Sequence, residues 1–221
     1  MELGGSQHLQ VEKRSLHDQV ASRIRDLIIE GYLEPGTRID EAHLIEQLGV
    51  SRTPFRESLR TLAAEGLIVI RPARGSMVRA LSQDEVRAML EVLAQLEELA
   101  GRTACARASE AEIVEARALH DRMVAHHAAG ERLLYYKLNQ DFHSLVSRLS
   151  CNETLIEIQS NIQGRLKRIR FIGNGTPEKW NAAVADHAEM IAALEARDGP
   201  RMGAAMAVHL NRTWDRVRES I

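Results

Sequence analysis

Aromatic residues are scarce in this 221-residue chain, at 4% for Phe, Trp and Tyr together, and there are only two cysteines, Cys105 and Cys151. Few aromatics beside abundant Ala, Leu, Arg and Glu disfavour a sheet-based core and favour helices. Two thiols are too few for a disulfide scaffold. Both lie in apolar-periodic segments and are expected to be buried in a cytoplasmic protein. No run approaches the roughly 18 apolar residues of a membrane span. The opening MELGGSQHLQ lacks the basic and apolar regions of a secretory signal. There is no excess of positive charge either: 29 Lys and Arg against 31 Asp and Glu leave a net charge of −2. That excludes a uniformly basic nucleic-acid binder but leaves room for a local basic surface. No internal repeat or low-complexity segment occurs, and a hydrophobic content of 44% excludes general disorder.

The positive charge that is present is concentrated. Residues 51–79 hold Arg52, Arg56, Arg60, Arg71, Arg74 and Arg79 against Glu57 and Glu65, six minus two, an excess of +4. The surrounding pattern is regular. Residues 1–14 are polar, contain a Gly-Gly pair and read as a flexible tail. Leu16, Val20, Ile24, Leu27 and Ile28 then mark one helix face, ended by Gly31 and followed by the turn Glu34-Pro35-Gly36. Asp40 is placed to cap a second helix carrying Leu44, Ile45 and Leu48, which stops at Gly49. Ser51 is placed to cap a third, with Pro54 tolerated in its first turn and Phe55, Leu59 and Leu62 as its stripe. The β-type run LIVIRP, the turn Ala73-Arg74-Gly75 and the return Ser76-Met77-Val78-Arg79 complete a winged helix-turn-helix over 15–80.

From Ser82 the pattern is helical throughout, with helices expected near 84–108, 110–129, 131–149, 153–172, 178–197 and 200–219. The breaks fall at Gly130, Ser150 to Asn152, Gly173 to Pro177, and Asp198-Gly199-Pro200. The fold class is therefore mainly α: a winged helix-turn-helix followed by an antiparallel bundle of about six helices over 81–221.

Two groups of residues carry chemistry. A helix in the major groove reads bases with its N-terminal residues. Here that end presents Ser51, Arg52, Thr53 and Arg56, and the hairpin tip adds Arg74 and Gly75. Arginine grips guanine O6 and N7 with two hydrogen bonds, while hydroxyls and a helix N-terminus suit phosphate oxygens. The second group lies in the bundle. Asn139 and His143 are spaced i, i+4 and share a helix face. His187 lies 11 residues before Asp198 and His209 lies 11 after it, so two antiparallel helices joined there place both at one height. Three imidazoles and an amide oxygen can then converge on a divalent metal, with zinc or nickel suited better than magnesium.

The stretch from EPGTRIDEAHLIEQLGVSRTPFRESLRTLAAEGLI to RPARGSMV resembles the DNA-binding domain of the GntR family of bacterial transcription regulators. The remainder resembles the FCD ligand-binding domain of that family's FadR subgroup. The resemblance implies DNA contacts at Ser51, Arg52, Thr53, Arg56, Arg74 and Gly75. Ala42 stands where some members place a further DNA-contacting Arg. Many FCD domains bind a divalent metal through a D-x-x-x-H pair and two later histidines. His143, His187 and His209 fit that pattern, whereas Asn139 replaces the usual Asp and lowers the expected metal affinity. An Arg that binds an effector's carboxylate in many FCD domains is replaced here by Leu93, leaving Glu97 and Arg165 as candidate effector contacts.

These readings converge on a regulator, expected to be a repressor, that binds a pseudo-palindromic double-stranded operator as a homodimer. A small organic acid in the helical domain would control it through the relation between the two DNA-binding domains. The alternative is a helical-bundle metalloenzyme with an appended DNA-binding module. It would require a general base beside the metal, and neither a clear base nor a G-x-S-x-G motif is present. No enzymatic activity is expected.

Overall fold

The structure is a computed structural model that describes residues 15–221; the expected tail of residues 1–14 lies outside them. The elements run α1 (Leu16–Glu30), α2 (Glu41–Leu48), α3 (Arg52–Ala64), β1 (Ile68–Arg71), β2 (Gly75–Val78), α4 (Gln83–Arg107), α5 (Glu110–Ala128), α6 (Arg132–Leu149), α7 (Glu153–Ile172), α8 (Pro177–Glu195) and α9 (Gly199–Val217). This is the expected winged helix-turn-helix followed by six helices.

Local chemistry sets most helix starts. Ser15 with Asp18, Ser82 with Glu85 and Ser109 with Glu112 form capping boxes at α1, α4 and α5. Each satisfies backbone donors that the helix leaves unpaired, worth about 1 kcal/mol per cap. Asn152, Thr176 and Asp198 cap α7, α8 and α9 with their side chains. Ser51 occupies the N-cap position of α3 in an extended conformation, but its side chain makes no capping hydrogen bond.

The winged unit has its own core of Ile24, Ile28, Leu44, Phe55, Leu59, Leu62, Leu67, Ile68 and Val78. Its hairpin is antiparallel, with Ile68 opposite Val78 and Arg71 opposite Gly75, and a bridge from Arg38 to Met77 extends it. In the bundle, α4 lies along α9 at a distance set by glycine. A Cβ on Gly203 would come within 2.9 Å of the Glu98 carbonyl oxygen. Cys105 is buried in this core. Cys151, expected to be buried, is exposed instead. It occupies the turn between α6 and α7 with φ +47°, a conformation that takes it off both helix stripes.

The winged unit and the bundle are packed together. Ile29 of α1 joins Tyr136 of α6 and Phe171 of α7 in one apolar cluster. Around it, Lys137 Nζ reaches Asp26 at 2.7 Å, and Glu65 pairs with both Arg25 and Lys167, the latter at 2.6 Å. Arg168 donates Nη1 to the carbonyls of Ile28 and Ile29, both at 3.1 Å, where the C-terminal end of α1 carries partial negative charge. α7 approaches closely because Gly164 has no side chain: a Cβ there would lie 2.7 Å from the Glu65 carbonyl oxygen.

Candidate functional site

Two regions carry functional side chains. On the winged unit, Ser51, Arg52, Thr53 and Arg56 are all exposed on the first two turns of α3. Arg74 is exposed in the hairpin turn, where Ala73 takes φ +60° and Gly75 φ +80°. Arg56 of the recognition helix and Gly75 of the wing line a groove of about 580 Å³ together with Arg38, Asp40 and Glu41. Arg38 was not singled out by motif. Its guanidinium lies over Gly75, with Nε 3.3 Å from where a Cβ would be, and adds a cation at the wing. Its signal was tertiary: the bridge to Met77 brings the loop before α2 alongside the wing.

The second region is buried in the bundle. His143 of α6, His187 of α8 and His209 of α9 are 0 to 2% exposed, and a ligand atom from each lies within 4.8 Å of the others. The equal spacing from the α8–α9 turn does bring the last two together. Their rings are oriented by their Nδ1 atoms. His187 Nδ1 is 2.8 Å from the Ala183 carbonyl, and His209 Nδ1 is 3.1 Å from Asp186 Oδ2. An Nδ1–H donating to each acceptor leaves the Nε2 lone pair as the free ligand atom. His143 Nδ1 lies 2.7 Å from Glu97 Oε2, paired by distance although the ring N–H is not aligned on the oxygen. Nε2 of His143 and Nε2 of His187 face one another at 3.3 Å.

A layer of polar groups surrounds the histidines. Glu97 is fully buried and accepts hydrogen bonds on Oε1 from Gln163 at 3.0 Å and Gln159 at 3.3 Å. Arg170 Nη1 is 3.6 Å from the same oxygen, and neither terminal nitrogen of Arg170 has a hydrogen-bond partner among the described residues. Asp186 receives Arg212 as well as His209, and Arg216 Nη1 lies 3.6 Å away. Asn139 is buried one helical turn before His143, and its Oδ1 has no hydrogen-bond partner among the described residues.

The electrostatics follow from burial. Desolvation holds His143 and His187 well below the ordinary histidine range, and the cation Arg170 adds to it, so both are neutral. Desolvation also lowers His209, against the pull of Asp186. Burial pushes Glu97 up, opposed first by Arg170. Burial pushes Asp186 up too, but its hydrogen bonds from His209 and Arg212 outweigh this and leave it below the ordinary carboxylate value.

Neutral imidazoles with pinned Nδ1 atoms and an unpartnered amide oxygen are the donor set a divalent transition metal takes. Of the four residues expected as ligands, His143, His187 and His209 thus fit a metal, and Asn139 lies one helical turn before His143. Glu97 belongs to this centre as the carboxylate beside His143. Arg165 does not: it is exposed on another face of α7, its stem lying over Gly66 of the winged unit, where a Cβ would meet its Cγ at 2.7 Å. Arg170 is the cation beside Glu97 and His143, while Arg216 lies beside His209. Arg170 stands in the basic stretch Arg165, Lys167, Arg168, Arg170, and its one inward signal in the sequence is that Gln159, Gln163, Leu166 and Arg170 fall at i, i+4, i+7 and i+11, one helix face.

Residues 16–78 match the family described as bacterial regulatory proteins, gntR family, and residues 88–212 match the FCD domain. The chain is 31% identical over 200 residues to the Nta operon transcriptional regulator of Aminobacter aminovorans, covering 88% of this chain and 91% of that protein. It is 27% identical to the HTH-type transcriptional repressor RspR of Escherichia coli (strain K12), over 92% of this chain and 90% of the relative. Among solved structures, E. coli McbR/YncC shares the fold with a TM-score of 0.75 at 22% identity, covering 89% of this chain and 94% of that one. Among the described residues no helix is long and apolar enough to cross a membrane. An arginine-bearing winged helix-turn-helix joined to a helical domain with a buried histidine centre is thus a DNA-binding transcription regulator of the GntR family, in its FCD-containing subgroup.

Proposed function

We propose that this protein is a repressor whose operator affinity is set by a small carboxylate bound in the helical domain beside a divalent metal. Residues 15–80 form the DNA-binding unit and residues 81–221 the sensing and dimerising unit. The observation that carries the reading is the convergence of three neutral histidines beside Arg170, a buried guanidinium whose terminal nitrogens lack hydrogen-bond partners. Glu97 faces Arg170 at 3.6 Å without hydrogen-bonding it, and an effector carboxylate would match the guanidinium with two parallel hydrogen bonds. A cavity of about 140 Å³ lined by Ser147, Gln159 and Gln163 abuts this centre.

His143, His187, His209 and Asn139 would hold the metal, which supplies a Lewis-acid position for an effector oxygen. Asn139 brings an oxygen without charge, so binding is weaker than an Asp would give, and three imidazoles favour zinc or nickel. Ser51, Arg52, Thr53, Arg56, Arg74 and Gly75 contact DNA, joined by Arg38. One recognition helix reads only a few base pairs, so a homodimer on a pseudo-palindromic operator supplies the rest.

The test selects binding sites from random-sequence DNA with the full chain and measures affinity by fluorescence anisotropy at fixed salt. Zinc, nickel and a panel of mono-, di- and hydroxycarboxylates are then added. At least one acid should change the dissociation constant about fivefold or more, the lower end of ordinary allosteric coupling. Failure to select any sequence would remove the DNA-binding reading, and indifference to every acid would remove the effector reading.

A further inference from the structure

A second cavity, separate from the histidine centre, lies where the winged unit meets the bundle. It measures about 190 Å³, roughly the liquid volume of six waters. Ile28, Leu67, Leu81, Ile169 and Ile172 give it apolar walls contributed by both units and by the segment joining them. Three cations, Arg79, Arg165 and Arg168, also line it, together with Ser220 and Ile221, the last residue of the sequence, and among the described residues no Asp or Glu side chain does.

The cations are held in place by the fold. Arg168 is fixed by its bonds to the carbonyls at the end of α1. The stem of Arg165 lies against Gly66. Arg79, whose backbone N–H donates to the Leu67 carbonyl at 2.9 Å, buries its side-chain Nε without a hydrogen-bond partner among the described residues. Glu34 acts on Arg168 electrostatically from outside the lining.

An apolar pocket edged by three guanidiniums, with no acidic side chain among the described residues of its lining and at most the main-chain carboxyl of Ile221 against them, selects one kind of occupant. A neutral apolar molecule would leave the Arg79 Nε–H unpaired, and a cation would be repelled. A small acid with a branched or aromatic tail satisfies both walls and charges. We infer that this junction is a second ligand site, specific for a small amphiphilic carboxylate whose tail lies between Ile28, Leu67, Ile169 and Ile172 and whose head is held by Arg79 and Arg165. Such a ligand touches α1, the base of the wing and α7 together. It therefore fixes the winged unit against the bundle and biases the angle at which the unit meets DNA, from a position that shares no residue with the histidine centre.

The test is methyl NMR on the full chain labelled at isoleucine δ1, titrated with 4-methylpentanoate and with benzoate. The resonances of Ile28, Ile169 and Ile172 should shift saturably with at least one acid, while Ile113 in the bundle core stays in place. The corresponding amides, 4-methylpentanamide and benzamide, should bind at least tenfold more weakly, as should the acid to Arg79→Gln. Ala80→Trp, a substitution at an exposed position on the cavity rim, should abolish the shifts by filling the space. Arg79→Gln keeps the test open if the tryptophan variant does not fold. Absence of saturable shifts with both acids, equal binding of acid and amide, or shifts confined to isoleucines away from the cleft would overturn the inference.

Discussion

The consequence of replacing Glu97 with glutamine follows from who faces its two oxygens. Oε1 accepts from the amides of Gln163 and Gln159 and has Arg170 at 3.6 Å, while Oε2 faces His143 Nδ1 at 2.7 Å. Glutamine has one acceptor. With its carbonyl kept toward Gln159, Gln163 and Arg170, its NH2 meets His143 Nδ1, which must then be an acceptor. The proton moves to Nε2, where it points at His187 Nε2 across 3.3 Å. The neutral protein gains an N–H···N hydrogen bond worth about 1 kcal/mol. In exchange, Arg170 loses Glu97, the carboxylate it pairs with, and an uncompensated buried charge costs about 3–5 kcal/mol. The net expectation is a loss of roughly 2–4 kcal/mol, read as a lower urea midpoint at constant m. Metal binding should weaken more than the ordinary 10- to 100-fold for a lost outer partner, because the His143 lone pair is now protonated. Nitrogen-15 shifts of the imidazole should report the changed tautomer directly. Burial pushes the Glu97 carboxyl upward, and that supplies the refuting result. If Glu97 is already neutral, Glu97→Gln will lie within about 0.5 kcal/mol of the parent, the range of an inconsequential substitution, and will bind zinc as before.

Four other outcomes are expected. Gly164→Ala should stabilise isolated α7 by up to about 1 kcal/mol of helix propensity while forcing the Glu65 backbone away from a Cβ that would sit at 2.7 Å; calorimetry should show the winged unit melting apart from the bundle, and a single unchanged transition would contradict this. Arg52→Ala should cost about 1–3 kcal/mol of operator binding and relax preference at one base pair, whereas Arg74→Ala should weaken all sequences alike; anisotropy on substituted operators separates the two. Asn139→Asp should tighten zinc or nickel by adding a negative oxygen, as measured by competition with a chromophoric chelator. In metal-stripped protein, His143 and His187 titrate far below 6.5 when folded, so the unfolded chain binds more protons below that pH. Stability should be fully present above about 6.5 and fall on acidification by up to about 1.4 kcal/mol per pH unit for each histidine; a flat profile between pH 6.5 and 5 would rule it out.

What could be read without coordinates was whatever a single helix or turn encodes. The six bundle helices follow from breaks such as Gly130, Asn152 and Asp198, and the recognition helix from Ser51 to Arg56 next to a glycine-tipped hairpin. The meeting of His187 and His209 was legible because one turn at Asp198 relates them. Arg170 was not, because the face of a helix that turns inward depends on its neighbours. Within one basic run, Arg165 turns toward the winged unit and Arg170 toward Glu97. Arg38 was hidden for the same reason, since only the bridge to Met77 carries it to the wing. Cys151 was misread because its exposure comes from a left-handed turn residue rather than from helical periodicity.

The same helix explains how events at the histidine centre can reach DNA. α7 has one face directed inward, where Gln159, Gln163 and Arg170 meet Glu97. A second face meets the winged unit through Gly164, Lys167, Arg168 and Phe171. Gln163 and Gly164 are consecutive, so a side chain bonded to the buried carboxylate adjoins the backbone closest to Glu65. If an effector draws Arg170 or Gln163 away from Glu97, α7 must shift or rotate, because its interior-facing side chains are close-packed. A displacement of a few tenths of an ångström is enough to be felt at Gly164, where there is no room for even a methyl group. Glu65 sits at the end of the recognition helix and is tied to Arg25 and Lys167, so a shift of α7 would be felt at the end of α3. On the proposed function the coupling would require no long pathway: one helix with two committed faces runs between the carboxylate beside His143 and the end of α3.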